Sequence, residues 1–419
     1  MTPRDLIAES LRTLAAHRLR TALTMFGIAW GIVSIVLMVA AGEGLAQGQR
    51  KVAEAFGKDI MIVFPGRTSL QAGGTRAGRQ VTFSATDHES VQSESPACAH
   101  VLPELGRHDV PVRSAHNSAS LVVTGSLPPF AEVRSLGVAE GRYPGWDDER
   151  EARRVAFLGS DVRDQLFAGR PAAGETIRVG DFPYTVVGVM RSKEQDSGYD
   201  GQDVQKVFLP FATMLRDLPE LPPARPDQID RIVVTPRSVE DHEACKAEVR
   251  RALARLHGFD PRDEEAAGIW DTLEDAKAFR QLTDGMKYFL GAVGVATLLV
   301  GGIGVMNVML VAVRERTREI GLRKALGATR RSVVRQVFFE TGVMVFVSGG
   351  LGLLAALGTC RLVNLLPMPQ FFAGLVPTWG SGLVAFALLG TVALLSAVYP
   401  AGRAAAVDPI EALRHEAGG

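Results

Sequence analysis

YFLGAVGVATLLVGGIGVMNVMLVAV, residues 288–313, contains no charged side chain. A helix needs roughly 20 apolar residues to cross the hydrocarbon core of a bilayer, so this stretch alone predicts one membrane span. Residues 21–42 and 341–360 are also free of charge. A fourth uncharged run, 362–402, is too long for one span and carries Pro367, Pro369 and Pro377 in its first half. It reads as a re-entrant or surface loop over 361–380 and a span over 381–400. Four such runs, each flanked by charge, exclude a soluble protein that buries one apolar helix. The expected fold is a membrane protein: four transmembrane helices with a large mixed α/β extracytoplasmic domain inserted between helices 1 and 2.

The formal net charge of zero conceals a split. Residues 43–287 hold 31 Lys/Arg against 38 Asp/Glu; the rest of the chain holds 15 against 8. Basic residues next to spans stay in the cytoplasm. Arg12, Arg18 and Arg20 precede the first span, and Arg403 and Arg414 follow the fourth. The connection 314–340 is rich in arginine, from Arg314 to Arg335, whereas the connection between spans three and four has only Arg361. Both termini and 314–340 therefore fall inside, and 43–287 and 361–380 outside. The first apolar run is longer than the 7–15-residue apolar region of a signal peptide and is read as an anchor that stays in place.

Residues 1–20 have Leu6, Leu11, Leu14 and Ala15 at near-helical spacing among charges, which predicts an amphipathic helix on the inner leaflet. Helical periodicity continues from span one to Phe56, where Gly57 ends it, and precedes span two from 272 to 286. These are read as stalks carrying the outer domain. Between them, 59–64, 118–124, 154–158, 176–179, 184–190 and 229–235 read as strands. Residues 161–167 and 239–257 read as helices. Residues 194–203 read as an acidic, glycine-containing loop. The pattern suggests a β-rich subdomain inserted at about 101–208 within a second one built from the segments next to the stalks. A cytoplasmic tail, 401–419, closes the chain.

No catalytic motif is present. There is no GxxxxGK[ST], no HExxH and no GxSxG. The eight histidines are scattered, most of them in polar segments, and are expected at the surface. Cys98 and Cys245 fall in the outer segment, where a disulfide is chemically allowed. Far apart in sequence, they are expected to be unpaired. No Cys/His spacing predicts a metal.

The informative segment is VRERTREIGLRKALGAT, residues 313–329. Gly321 and Gly327 bracket a short helical stretch with Leu322, Ala325 and Leu326 on one side and Arg323 and Lys324 on the other. A short helix ending in glycine with apolar and basic faces is a docking element for a partner protein. The alternative reading is positive-inside charge with no partner. In the first span, Gly27 and Gly31 form GxxxG, which serves either helix packing within the chain or a dimer contact.

Leu299–Leu310 running into Arg314–Ala328, Leu23–Ile28 in the first span and Tyr399–Arg414 at the end strongly resemble the FtsX-like permease domain of MacB-type ABC transporters. Phe157-Leu158-Gly159 and Leu166-Phe167 resemble pieces of that family's periplasmic core. The resemblance implies a homodimeric permease in the bacterial inner membrane, in contact with membrane lipid, that is not itself an enzyme. Family members of the MacB type carry a fused N-terminal ATPase. This chain begins almost at its first span, so the resemblance implies a split form needing a separate ABC ATPase subunit. The chain would bind no cofactor and no nucleic acid; ATP and magnesium would sit on the ATPase. Residues 319–327 would be the coupling helix, with Ile320, Gly321, Leu322, Ala325 and Gly327 shaping it. Arg316, Glu319, Arg323 and Lys324 would pair with charges on the ATPase. Gly27, Gly31, Gly301, Gly302, Gly304 and Asn307 would serve packing or dimer contact. Rigid helices would relay ATPase motion to the outer domain and drive efflux through a periplasmic adaptor and an outer-membrane channel. A lipoprotein-releasing permease and an FtsX-like regulator of cell-wall hydrolases share the topology and remain as alternatives.

Overall fold

The structure is a computed structural model that describes residues 18–408, apart from 58, 73, 75, 194, 196, 197 and 370. The expected helix within 1–20 lies almost wholly outside the described residues. The chain divides into two units, 1–48 with 280–419, and 49–279.

The first unit is built from long helices: Arg18–Phe56, Thr272–Glu315, Arg330–Val363 and Trp379–Ala406, the first two continuing into the second unit. Each is long and apolar enough to span a bilayer. Ile28, Ile32, Leu298, Val305, Val345 and Ala356 are buried between them, while Phe26, Trp30, Ile303, Leu354 and Phe386 face outward. An apolar exterior is the expected surface of a helix bundle in lipid. The third long helix starts at Arg330, well before the uncharged run at 341, so its first turns carry charge.

The loop after Val363 lies against the first helix. Ala373 N donates to Gly44 O (2.9 Å) and Val376 N to Ala40 O (3.0 Å). Asn364 Nδ2 donates to Leu375 O, and Leu375 N to Asn364 Oδ1. Only glycine permits this approach: a Cβ on Gly44 would stand 1.6 Å from Gly374 O, and one on Gly48 2.2 Å from Phe371 O. Gly44→Ala is therefore expected to eject the loop and cost about 1–3 kcal/mol, the range for overpacking. Hydrogen exchange of the Ala373 and Val376 amides checks this; unchanged protection refutes it.

The second unit is organised around one ten-stranded sheet. Its strands are β1 Met61–Pro65, β3 Cys98–Arg113, β4 Ser118–Ser126, β5 Val138–Gly141, β6 Val155–Leu158, β7 Thr176–Val179, β8 Phe182–Met190, β9 Lys206–Pro210, β11 Arg231–Pro236 and β12 Ala267–Asp271. β2 Phe83–Ser84 and β10 Gln228–Ile229 pair separately. The order is β12-β1-β11-β3-β4-β9-β6-β8-β5, and β7 pairs with both β3 and β8. That double pairing closes β3, β4, β9, β6, β8 and β7 into a ring. β3 belongs to both the ring and the β12-β1-β11 layer. Its ladder with β4 shifts between Arg107 and Val110, where Asp109 takes φ 54°. Such a bulge bends the strand, and the half beyond it reaches β7.

Two expectations are corrected. Cys98 and Cys245 form a disulfide that joins the start of β3 to the helix His242–His257. Sequence distance is irrelevant once the fold puts the two Cα atoms 5.0 Å apart. The histidines are not all at the surface: His88 and His242 are buried. His242 Nε2 lies 2.7 Å from Asp271 Oδ2, so burial of the ring is offset by a charged partner.

The loop expected at 194–203 turns inward at several of its described residues. Gln195, Asp200 and Asp203 are buried. Asp203 accepts from Arg134 (2.9 Å) and pairs with Lys193 (2.8 Å). Asp200 pairs with Arg231 (3.2 Å). Tyr199 hydroxyl donates to Glu104, and its ring lies under the Arg134 and Arg231 guanidinium groups. Burial pushes the Glu104 carboxyl up, outweighing Arg231 and Lys206. At Asp203 burial also acts upward, but Arg134, Lys193 and Lys206 overcome it and hold the carboxyl below its ordinary range.

Candidate coupling site

After Glu315 the chain turns through Arg316 into the helix Thr317–Ala325. The turn is fixed by Thr317 Oγ1, which donates to Val313 O (3.1 Å) and Arg314 O (2.8 Å). Gly327 then ends the helix at φ 98°, a left-handed conformation that suits glycine. Ala328 N donates to Arg323 O (2.9 Å) across the reversal. Thr329 caps the next helix, its side chain accepting from Ser332 N. The Thr317 bonds and Gly327 thus bound a compact helix between two spans, and Thr329 starts the one that follows.

Gly321 is buried and Ile320 is half-buried, so this side faces the bundle. Leu322 and Leu326 are 50% and 81% exposed, and Ala325 is exposed beside them. An apolar strip at the end of a charged helix is the feature that calls for a covering surface.

The charged residues have partners within the chain. Arg323 Nη2 donates to Glu319 Oε1 (2.5 Å) and its Nη1 to Gln336 Oε1 (2.9 Å). Gln336 Nε2 donates to Glu340 Oε1 (3.2 Å), and Arg316 Nη1 stands 3.6 Å from that same oxygen. Lys324 Nζ donates to Ala405 O (3.0 Å) and to Val407 O at the end of the last helix. Arg316, Glu319, Arg323, Gln336 and Glu340 line a cavity of about 30 Å³ together with Met309, Val333 and Val337. Gln336 and Glu340 were not singled out by sequence reading. Their signal was an i, i+4 polar pair just before an uncharged run.

The glycines of the expected packing set meet neighbours within the chain. Gly27 and Gly301 face each other, a Cβ on Gly27 falling 3.8 Å from Gly301 Cα. Gly31 approaches Leu298, Gly304 approaches Thr24, and Gly302 approaches Ser396 and Val392. Asn307 is exposed.

Residues 21–252 match the MacB-like periplasmic core domain, and residues 291–409 match the FtsX-like permease C-terminal domain. The macrolide export ATP-binding/permease protein MacB of Hahella chejuensis is 33% identical over 404 residues, 96% of this chain and 59% of that protein. The pyoverdine export ATP-binding/permease protein PvdT of Pseudomonas entomophila is 32% identical over 414 residues, 98% of this chain and 60% of that protein. The chain thus spans about 60% of the length of these curated relatives. The crystal structure of the periplasmic region of MacB from Actinobacillus actinomycetemcomitans overlays with a TM-score of 0.42 at 18% identity, covering 55% of this chain and 95% of that one. On both domain matches, the chain belongs to the family of multi-pass membrane permeases that join a MacB-like periplasmic core domain to an FtsX-like permease domain.

Proposed function

We propose that this chain is the permease subunit of an ABC-type exporter whose nucleotide hydrolysis is performed by a separate ATPase. The observation that carries this reading is the exposed Leu322, Ala325, Leu326 strip on a short helix that the chain otherwise ties down. Seated in a groove of an ATPase, the strip would be desolvated, and motion of the ATPase would be passed to the spans. ATP and magnesium reside on that partner. Two copies of the chain work together in the inner membrane, with both termini and residues 314–340 inside.

The α/β unit is then periplasmic. The basic residues flanking the spans support this orientation. So does the Cys98–Cys245 disulfide, which persists in an oxidising compartment. Movement of the periplasmic units expels substrate through a periplasmic adaptor and an outer-membrane channel, with no passage of substrate across the inner membrane.

Copurification tests the docking. A tagged chain drawn from its native membranes should bring an ABC ATPase with it. Leu322→Asp with Leu326→Asp should cut that recovery about tenfold or more, as for truncation of a desolvated anchor pair. Equal recovery with the double variant, or no ATPase with the wild type, ends the reading.

A further inference from the structure

Arg316, Glu340, Gln336, Arg323 and Glu319 form an unbroken chain of side-chain contacts that joins the short helix Thr317–Ala325 to the start of the helix Arg330–Val363. Its inner member, Glu340, is only 10% exposed. A charged pair this deep is held in one geometry, because separating it strands a carboxylate away from water. On the other side of the short helix, Lys324 bonds the carbonyls of Ala405 and Val407. The last carbonyls of a helix have no partner within it, and a cation there also meets the negative end of the helix dipole. The short helix is also joined through Arg316 to the helix Thr272–Glu315.

We propose that Arg316, Arg323 and Lys324 are positioning residues that yoke the short helix to spans three and four, so that it moves with spans two, three and four as one body. They do not serve as contacts for the partner. The apolar strip receives force; the polar groups distribute it. A surface charge on a free helix would leave its long side chain in water, at little net gain from pairing. Here three polar anchors meet partners on other helices, while Leu322 and Leu326 are exposed. The yoke is a property of this chain alone. Only its role in coupling rests on the docking reading above.

The test uses the full chain with Cys360→Ser, in nanodiscs. Nitroxide labels are placed on Arg318→Cys and Gly402→Cys, both exposed positions outside the apolar strip. Pulsed electron resonance reads the distance between the short helix and the last helix. The expected result is a narrow distribution that stays narrow when ATP and vanadate are added with the copurified ATPase. Lys324→Met and Glu340→Gln should each widen it about twofold, as for an element released into local disorder. Recovery of the ATPase should be unchanged by Lys324→Met, in contrast to the leucine variants. Arg316→Glu and Glu340→Arg should each widen the distribution, and their combination should restore it.

An unchanged width in Lys324→Met and Glu340→Gln overturns the yoke, as does loss of ATPase recovery in Lys324→Met at unchanged width, which would make the lysine a partner contact. If the wild type recovers no ATPase, the docking reading fails while the nucleotide-free distances still decide the yoke.

Discussion

Arg134→Met is expected to lower the stability of the α/β unit by about 3–5 kcal/mol, the cost of removing one member of a buried ion pair. Arg134 is fully buried. Its Nη2 lies 2.9 Å from both carboxylate oxygens of Asp203, and its guanidinium lies 5.1 Å from the centre of the Tyr199 ring. Methionine fills a similar length but offers Asp203 nothing. The carboxylate would keep Lys193 and the more distant Lys206, and would lose its bond to Arg134. Thermal unfolding of the full chain with Trp30, Trp146 and Trp379 replaced by Phe, followed by the fluorescence of Trp270, measures the loss. Arg134→Met with Asp203→Leu and Lys193→Met removes the linked charges together and should recover much of it, because apolar groups replace a cluster that was itself costly to desolvate. If Arg134→Met costs less than about 1 kcal/mol, the cluster contributes only what a surface pair would.

The same cluster sets a pH dependence whose sign follows from the two carboxyls. Asp203 is held below its ordinary range, so its contribution is present above the unfolded-state value and is lost as pH falls through the folded one. Glu104 is raised, so its contribution is full at low pH and fades as pH climbs through its folded value. The two oppose each other. Acid unfolding driven by Asp203 should therefore begin only below about pH 4, the ordinary carboxylate range.

This cluster was not legible in the sequence, and the reason is physical. Each of its members is an ordinary charged residue in a polar segment: Glu104 in β3, Lys206 in β9, Arg231 in β11, Asp203 after a glycine-containing loop. Only the sheet brings them together. β3 itself escaped reading because Pro103, Gly106, Asp109 and Pro111 break the alternation that marks a strand. The fold tolerates them: Pro103 lies opposite Ile232, its carbonyl accepting from Ser126 Oγ, and Asp109 sits in the bulge. The four long helices were legible because a bilayer imposes length and composition on each one separately. So was the outward strip Leu322, Ala325, Leu326, which depends on helical period alone. The inward anchoring of Arg316, Arg323 and Lys324 was not, since it needs the ends of two other helices in place. Contacts local in sequence could be read, and contacts made by distant segments could not.

Cys98→Ala with Cys245→Ala is expected to cost about 4–5 kcal/mol, by the loop-entropy relation for a link that closes a loop of more than 100 residues. The bridge ties residues 147 apart, and both are fully buried. It fixes the first residue of β3 to the helix His242–His257, and next to it Ala97 N donates to Glu248 (2.9 Å) from that same helix. Without the link the unfolded chain gains the freedom of most of the α/β unit, while the folded state loses little packing. Differential alkylation tests the link directly. In the denatured but unreduced chain only Cys360 should react, and all three cysteines should react after reduction. Reaction of all three before reduction would refute the bridge. The thermal shift of the double variant tests the magnitude, and a fall below about 1 kcal/mol would mean that the unfolded state is already compact enough to make the link redundant. Reducing agent should destabilise the wild type and leave the double variant unaffected, which separates loss of the bridge from damage done by alanine in the core.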